Sequence, residues 1–504
     1  MSQRFRSAIA VFVLATLSGA AVAQITAPAE VPLEPPPPPA GFNLPDMGSS
    51  ANAMVSRADE YQVGRVMVNN LRQEGALLED PEINEYLVNV GQRLGSAAQE
   101  GIQRFDFFLV RDPSWNAFAL PGGFIGVNSG LLQTMDTESE LAAVVAHEVG
   151  HVTQRHIARA VQAQSRQSIS TMAAMLGAIL IGALAGGGDA APGLITLAQG
   201  AAMQQQINFT RMEEVEADSV GIGYMSAAGF DPNAVAAVWS GQMRRDGLDL
   251  SEIPDLLKTH PVDRARIAAA RSRAAQLPKQ HVADSPTFEL VRERVRVIAA
   301  KSDADMRKYY EGQMAKGDHG LAVRYGLSLA QMRHGEPEKA AKTLARLVDD
   351  QPGLTMLHAA LGQALMAANH KPEALAAFDK AVTLYPRNVP LSVRYAEALI
   401  EAGDAGKAHQ LLLDLFNNTV ATPEQIRLIA LAASAAGDTG DAYFYMSEYH
   451  IVSGNLMLAT QQLDLALAAP RLTEVQRKRF LARRDEIRNF LRDQRRTRGG
   501  DPVG

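Results

Sequence analysis

The chain has 504 residues, 47% of them hydrophobic, 21% charged and 6% aromatic, which is the balance of a folded protein rather than a disordered or collagenous one. That length exceeds what one core usually serves and implies roughly two to four domains. Forty-nine basic residues against fifty-five acidic ones give −6, which argues against a nucleic-acid partner, and the absence of cysteine excludes disulfides, thiolate metal sites and a cysteine nucleophile. Any metal must be held by His, Asp or Glu.

The N-terminus carries Arg4 and Arg6, an apolar run from Ile9 to Leu17, then Ala21-Val22-Ala23 before Gln24, which reads as a secretory signal with an A-x-A cleavage site. No cysteine follows the cleavage site to take a lipid anchor, and removal of residues 1–23 leaves a charge of −8. Residues 24–48, with Pro35 through Pro39 uninterrupted, read as a stiff, extended linker.

From about residue 49 to 275 the pattern is mixed α and β. Phe105 to Val110 and Asn116 to Leu120 read as short strands, and Pro121-Gly122-Gly123 as the turn into a third, Phe124 to Asn128. A long helix opens at Asp136 or Thr137, with Thr137 and Glu140 spaced as a capping box, and is expected to run through His156 and beyond. A second ends near Gly229, which suits a left-handed cap, with Asp231-Pro232 preventing continuation. Between them Met172 to Ala185 is very apolar but only about 14 residues long, too short for a span. It reads as a packed helix, with peripheral membrane contact as the alternative.

The first helix contains His147-Glu148-Val149-Gly150-His151, an HExxH motif. At i and i+4 the two histidines share one face and can grip one cation, while Glu148, about 100° away, is left free to polarise a water at the metal. Nitrogen ligands in a hydrolytic arrangement point to zinc. A catalytic zinc normally takes a third protein ligand. A metzincin would place a histidine six residues after His151, where Ile157 stands. The second helix offers Glu213, Glu214, Glu216 and Asp218. Glu214 and Asp218 are again i and i+4, so one could bind metal while the other holds a ligand histidine through its second nitrogen. Spacing alone does not choose among the three glutamates. His156 lies off the ligand face and reads as structural.

The last third repeats at a period of 34. Ala330, Ala364, Ala398 and Ala432 form one series, Ala340, Ala374, Ala408 and Ala442 a second, and Gly335, Asn369, Gly403 and Gly437 mark turns between paired helices. This resembles the tetratricopeptide repeat, whose concave face binds extended peptides or partner proteins. The second unit fits best, with Gly362, Phe378, Ala381 and Pro386 in place, and the fourth least well. Beyond residue 470 the chain becomes strongly charged and reads as a solvated capping helix, with docking of an acidic partner as the alternative.

Taken with the E-x-x-x-D of Glu214 to Asp218 and with Asn116-Ala117-Phe118-Ala119-Leu120-Pro121-Gly122-Gly123, the HEVGH motif resembles the CAAX prenyl protease and HtpX heat-shock protease family. Thr259-His260-Pro261 and Arg266-Ile267 are similar to a segment of that family's soluble, periplasmic, repeat-bearing branch. The resemblance implies His147, His151 and Glu214 as ligands of one Zn2+ per chain, Glu148 as general base, and Asp218 as a supporting group or proton donor. It implies that His260 can take the fourth zinc position and keep the enzyme latent. It also implies a periplasmic place, peripheral at the outer membrane, with misfolded or unassembled outer-membrane proteins as substrates and the β-barrel assembly machinery as partner through the repeats.

Asn116, Ala117 and Phe118 would pair with substrate backbone along an exposed strand edge, and Arg211 is a candidate to orient Glu214 or an adjacent loop. The expected fold is an α+β zincin-like metallopeptidase domain, mostly helical with a small sheet (49–275), a helical linker (276–315), an all-α tetratricopeptide-repeat solenoid (316–470) and a charged C-terminal helix and tail (471–504). The expected function is zinc-dependent endopeptidase. The alternative is a chaperone or assembly scaffold whose metal site is latent.

Overall fold

A computed structural model describes residues 56–98, 104–160, 211–246, 260–278 and 282–498. The expected signal, proline-rich linker and apolar stretch at 172–185 lie outside the described residues. Among those described, no helix is long and apolar enough to cross a membrane.

Two helices lead in, α1 (Arg57–Gln73) and α2 (Pro81–Ala97). Each starts at a side-chain cap: Ser56 accepts from Asp59 N, and Asp80 accepts from Ile83 N. The sheet follows as β1 (Asp106–Val110), β2 (Ala117–Leu120) and β3 (Phe124–Asn128), in the order β1-β3-β2. The expected hairpin is present, β2 pairing antiparallel with β3, so that β2 is an edge strand. The parallel pairing of β1 with β3 has no local turn to announce it. Next come α3 (Ser129–Thr134), α4 (Glu138–Thr153), α5 (Arg211–Ala227), α6 (Ala234–Asp246) and α7 (Arg264–Ala274). Helix α4 is the centre of the domain: Leu141, Val144, Val145 and Val149 are fully buried, which explains why its sequence is apolar on every side.

The segment expected as a helical linker forms α8 (Pro286–Ala299) and α9 (Asp303–Ala315). Phe288, Leu290, Val291 and Val295 of α8 are fully buried. They join α2 and α4 to the first repeats in one continuous apolar cluster. An ionic joint reinforces this packing. Arg294 of α8 donates to both oxygens of Asp80 at 2.8 Å, and Arg394 from the repeats donates to Glu82 at 3.0 and 2.8 Å and to Asp80 at 2.8 Å.

The repeats are α10 (Leu321–Arg333) with α11 (Pro337–Asp350), α12 (Thr355–Ala367) with α13 (Lys371–Leu384), α14 (Val389–Ala402) with α15 (Ala405–Phe416), and α16 (Pro423–Ala435) with α17 (Thr439–Val452). Their first helices begin 34 residues apart, and so do their second. The four turn residues Gly335, Asn369, Gly403 and Gly437 are all left-handed, with φ of 85, 62, 89 and 82°. The small-residue series lies at the helix contacts. Ala330, Ala364 and Ala432 are fully buried, whereas Ala442 is only half-buried, in keeping with the weaker fourth unit. A last pair, α18 (Leu456–Ala468) and α19 (Glu474–Arg498), closes the array. The charged α19 caps it by burying Phe480 and Ile487 and by placing Arg483 on Glu448, with both bonds at 2.8 Å.

Candidate metal centre and active site

Thr137 caps α4 by accepting from Glu140 N at 3.1 Å. The return bond of the expected capping box is displaced by one residue, since the Glu140 carboxylate accepts from Asp136 N at 2.8 Å. The helix does not run through His156 as expected. It stops at Thr153, because Arg155 takes a φ of 53°, and helical conformation resumes only at 156–160. Arg155 is held in place by Glu60 of α1 at 3.2 Å.

Helix α5 lies close along α4 because both carry glycine at the crossing. A Cβ on Gly150 would stand 2.8 Å from Ala217 O, and one on Gly221 would stand 3.0 Å from Ala146 O. This approach brings Glu214 to the two HExxH histidines. Its oxygens are 3.4 Å from His147 Nε2 and 3.4 Å from His151 Nε2, and those two nitrogens are 3.0 Å apart. His260 completes the group, its Nδ1 lying 2.9 Å from Glu214 Oε1 and 3.2 Å from His147 Nε2.

The donor atoms of His147, His151, Glu214 and His260 all lie within 4.8 Å of one another, and all four residues are buried. A tetrahedral zinc with bonds of about 2.0–2.1 Å places its ligand atoms about 3.3–3.4 Å apart. The separations of 2.9 to 3.4 Å given above lie at or somewhat below that figure, and the three-nitrogen, one-carboxylate set suits zinc chemically. Nitrogens this close also repel unless a cation or proton lies between them.

The surrounding contacts fix these side chains. Asp218, one turn beyond Glu214, lies 2.9 Å from His147 Nδ1. It also accepts from Arg266 Nε and Nη2 at 2.5 and 3.0 Å and from Trp239 Nε1 at 3.3 Å. Arg266 Nη1 lies 2.7 Å from Glu214 Oε2 and donates to Pro261 O at 3.0 Å, which anchors the segment carrying His260. Burial alone would favour a neutral Asp218, yet the bonds from His147 and Arg266 hold it down at about 2.

Burial also opposes charge on His147, but bonds to Asp218 and Glu214 prevail and push the ring up to about 9. His151 goes the opposite way, far below its ordinary range, through burial and, in smaller measure, the adjacent His147 and His260. At Glu214, burial is overridden by His260, His147 and His151, and the carboxylate stays ionised.

Glu148 is 1% exposed, and neither carboxylate oxygen has a hydrogen-bond partner among the described residues. Its Oε1 is 3.7 Å from His260 Nε2. An orphaned buried carboxylate beside a ligand cluster is costly to fold around and marks a site for a further polar group. Asn116 precedes edge strand β2, where Ala117 is buried and Phe118 half-buried, and β2 packs directly on α4.

Arg211 is exposed and pairs with Asp263, the cap of α7. It therefore touches the adjacent segment and not Glu214, whose arginine is Arg266. Sequence reasoning assigned no role to Arg266, Trp239 or the packing of His156. A buried arginine is signalled only by its acidic partners, which here stand 48 and 52 residues away.

Residues 81–274 match peptidase family M48, and residues 325–389 and 365–432 match tetratricopeptide repeats. The chain is 32% identical over 449 residues to the beta-barrel assembly-enhancing protease of Escherichia coli, covering 89% of this chain and 91% of that one. A putative beta-barrel assembly-enhancing protease of Vibrio cholerae is 36% identical over 314 residues, covering 62% of this chain and 64% of that one. The mitochondrial metalloendopeptidase OMA1 of Schizosaccharomyces pombe is 31% identical over 182 residues, covering 36% of this chain and 50% of its own. With its HExxH helix inside the matched peptidase region and its 34-residue hairpins inside the matched repeats, this chain belongs to peptidase family M48 and is a metallopeptidase bearing tetratricopeptide repeats.

Proposed function

We propose that this chain is a zinc-dependent endopeptidase of the periplasm that acts on misfolded or unassembled outer-membrane β-barrel proteins, with its repeats recruiting substrate or the assembly machinery. The observation that carries the catalytic part is the buried set His147, His151, Glu214 and His260 with the orphaned Glu148 carboxylate beside it. The name of the Escherichia coli relative and its 89% coverage of this chain support a role in β-barrel assembly, and the signal-like pattern from Arg4 to Ala23 supports export.

When bound, zinc supplies a Lewis acid that eases ionisation of water and polarises the scissile carbonyl. His147, His151 and Glu214 would hold it, and Asp218 and Arg266 orient those ligands. Glu148 takes the proton of the attacking water and returns it to the leaving amine. The edge of β2 that is unpaired among the described residues, beginning at Asn116, holds the substrate backbone extended by strand addition. His260 would occupy the position that water needs, so the enzyme rests in a self-restrained state until the 260–261 segment moves. The domain boundaries proposed are those read from the sequence, with the peptidase at 49–275 and the repeats at 316–470.

Complementation separates this reading from a scaffold with a latent site. A strain lacking the natural gene and carrying the Glu148→Gln protein should retain the defect in outer-membrane protein quality, while the wild-type gene repairs it. Full repair by Glu148→Gln would show that the repeats alone do the work.

A further inference from the structure

We infer that His156 is a positioning residue for His151: it accepts the proton on His151 Nδ1 and is itself braced by Glu216. The inference rests on the reading of His147, His151 and Glu214 as metal ligands. A histidine that coordinates through Nε2 carries its proton on Nδ1, and that proton needs a fixed acceptor to hold the ring in line. At His147 the acceptor is Asp218, 2.9 Å away.

At His151 the partner is the Nδ1 of His156, at 2.8 Å. Two protonated nitrogens cannot share that contact, so when His151 donates, His156 must hold its own proton on Nε2. That nitrogen lies 3.2 Å from Glu216 Oε2. Glu216 is in turn fixed by Arg159, which donates to the same oxygen at 3.0 Å. One chain of contacts therefore sets both tautomers and leads from the ligand face to the surface.

The backbone is shaped for this arrangement. In an unbroken helix a residue five positions beyond His151 would stand about 140° around the axis and face away from it. The left-handed φ of 53° at Arg155, uncommon outside glycine, ends α4 and turns His156 back until its ring is fully buried against His151.

The test is zinc affinity, read by titrating the full-length mature protein with zinc ion against a chromophoric chelator at one pH. His156→Phe fills the space without an acceptor and should weaken binding about 10- to 100-fold. His156→Gln, which can accept from His151 and donate to Glu216, should recover most of that loss. Glu216→Ala alters only a partly exposed group and should cost a few-fold, which keeps the test open if His156→Phe does not fold. Wild-type affinity in both His156→Phe and Glu216→Ala, or equal losses in the Phe and Gln variants, would overturn the inference. Failure of the wild-type protein to bind zinc would instead remove the ligand assignment on which it rests.

Discussion

Arg266→Met tests how the ligand cluster is held together. The side chain is 2% exposed and its removal deletes two bonds to Asp218 and the contact with Glu214. Breaking a buried charge pair costs about 3–5 kcal/mol, because the partner stays buried without compensation. Asp218 keeps His147 and Trp239, and Glu214 keeps His260, so the lower end of that range, about 3 kcal/mol, is expected. For a unit of 150–250 residues this lowers the melting temperature of the peptidase transition by about 6–12 °C.

The pH dependence has a definite sign. A carboxylate whose folded pKa lies at about 2 contributes stability that is complete above its unfolded value near 4 and is lost as pH falls through 2. The gap between wild type and Arg266→Met should therefore be widest at pH 7 and narrow between pH 4 and 2, the contact with Glu214 persisting. Scanning calorimetry of chelator-treated protein at pH 7, 5 and 3 reads this directly. A shift under about 2 °C at pH 7, or a gap that widens in acid, would refute the reasoning.

Four other outcomes follow from the same geometry. Since His147 is pushed up to about 9 without metal, its proton stabilises the metal-free fold below about pH 6.5, and this contribution is lost as pH rises through 9. Zinc must displace that proton, so affinity should rise by about tenfold per pH unit from 7 to 8 in a chelator competition; a flat profile would contradict it. His260→Ala should cleave casein faster than wild type, and equal or slower cleavage would remove His260 as a restraint. Gly362→Ala would put a Cβ 2.3 Å from the Phe378 ring and should cost about 1–3 kcal/mol in the repeat transition, read by urea denaturation. Arg394→Ala removes one of the two guanidinium groups on Glu82 and Asp80, leaving Arg294, and should loosen the repeats from the peptidase, seen as faster limited proteolysis near residues 300–320.

Local signals carried most of the fold. The 34-residue spacing placed all four helix hairpins, because each turn needs a left-handed residue and each helix contact needs a small one, as Gly403 and Ala398 show. The β2–β3 hairpin was equally plain from its Pro-Gly-Gly turn. What escaped were relations between distant residues. The parallel register of β1 on β3, the burial of Phe288 and Val291 in a segment resembling a connector, and the reach of Arg266 back to Asp218 all depend on tertiary packing.

The site shows the same division. The HExxH spacing placed His147 and His151 on one helix face, and the i, i+4 relation of Glu214 and Asp218 led to the expectation of a carboxylate on a histidine ring, where Asp218 lies 2.9 Å from His147 Nδ1. Arg155 concealed the role of His156, because nothing in a string of helix-forming residues announces a positive φ.

In the proposed site His147, His151 and Glu214 hold one zinc beside the general base Glu148. Elemental analysis of purified mature protein, paired with casein cleavage by the same samples, tests it most directly. One zinc per chain is expected in wild type and in Glu148→Gln, with cleavage by wild type at least about a hundredfold above Glu148→Gln. No zinc after metal-replete purification, or equal cleavage by the two proteins, would contradict it.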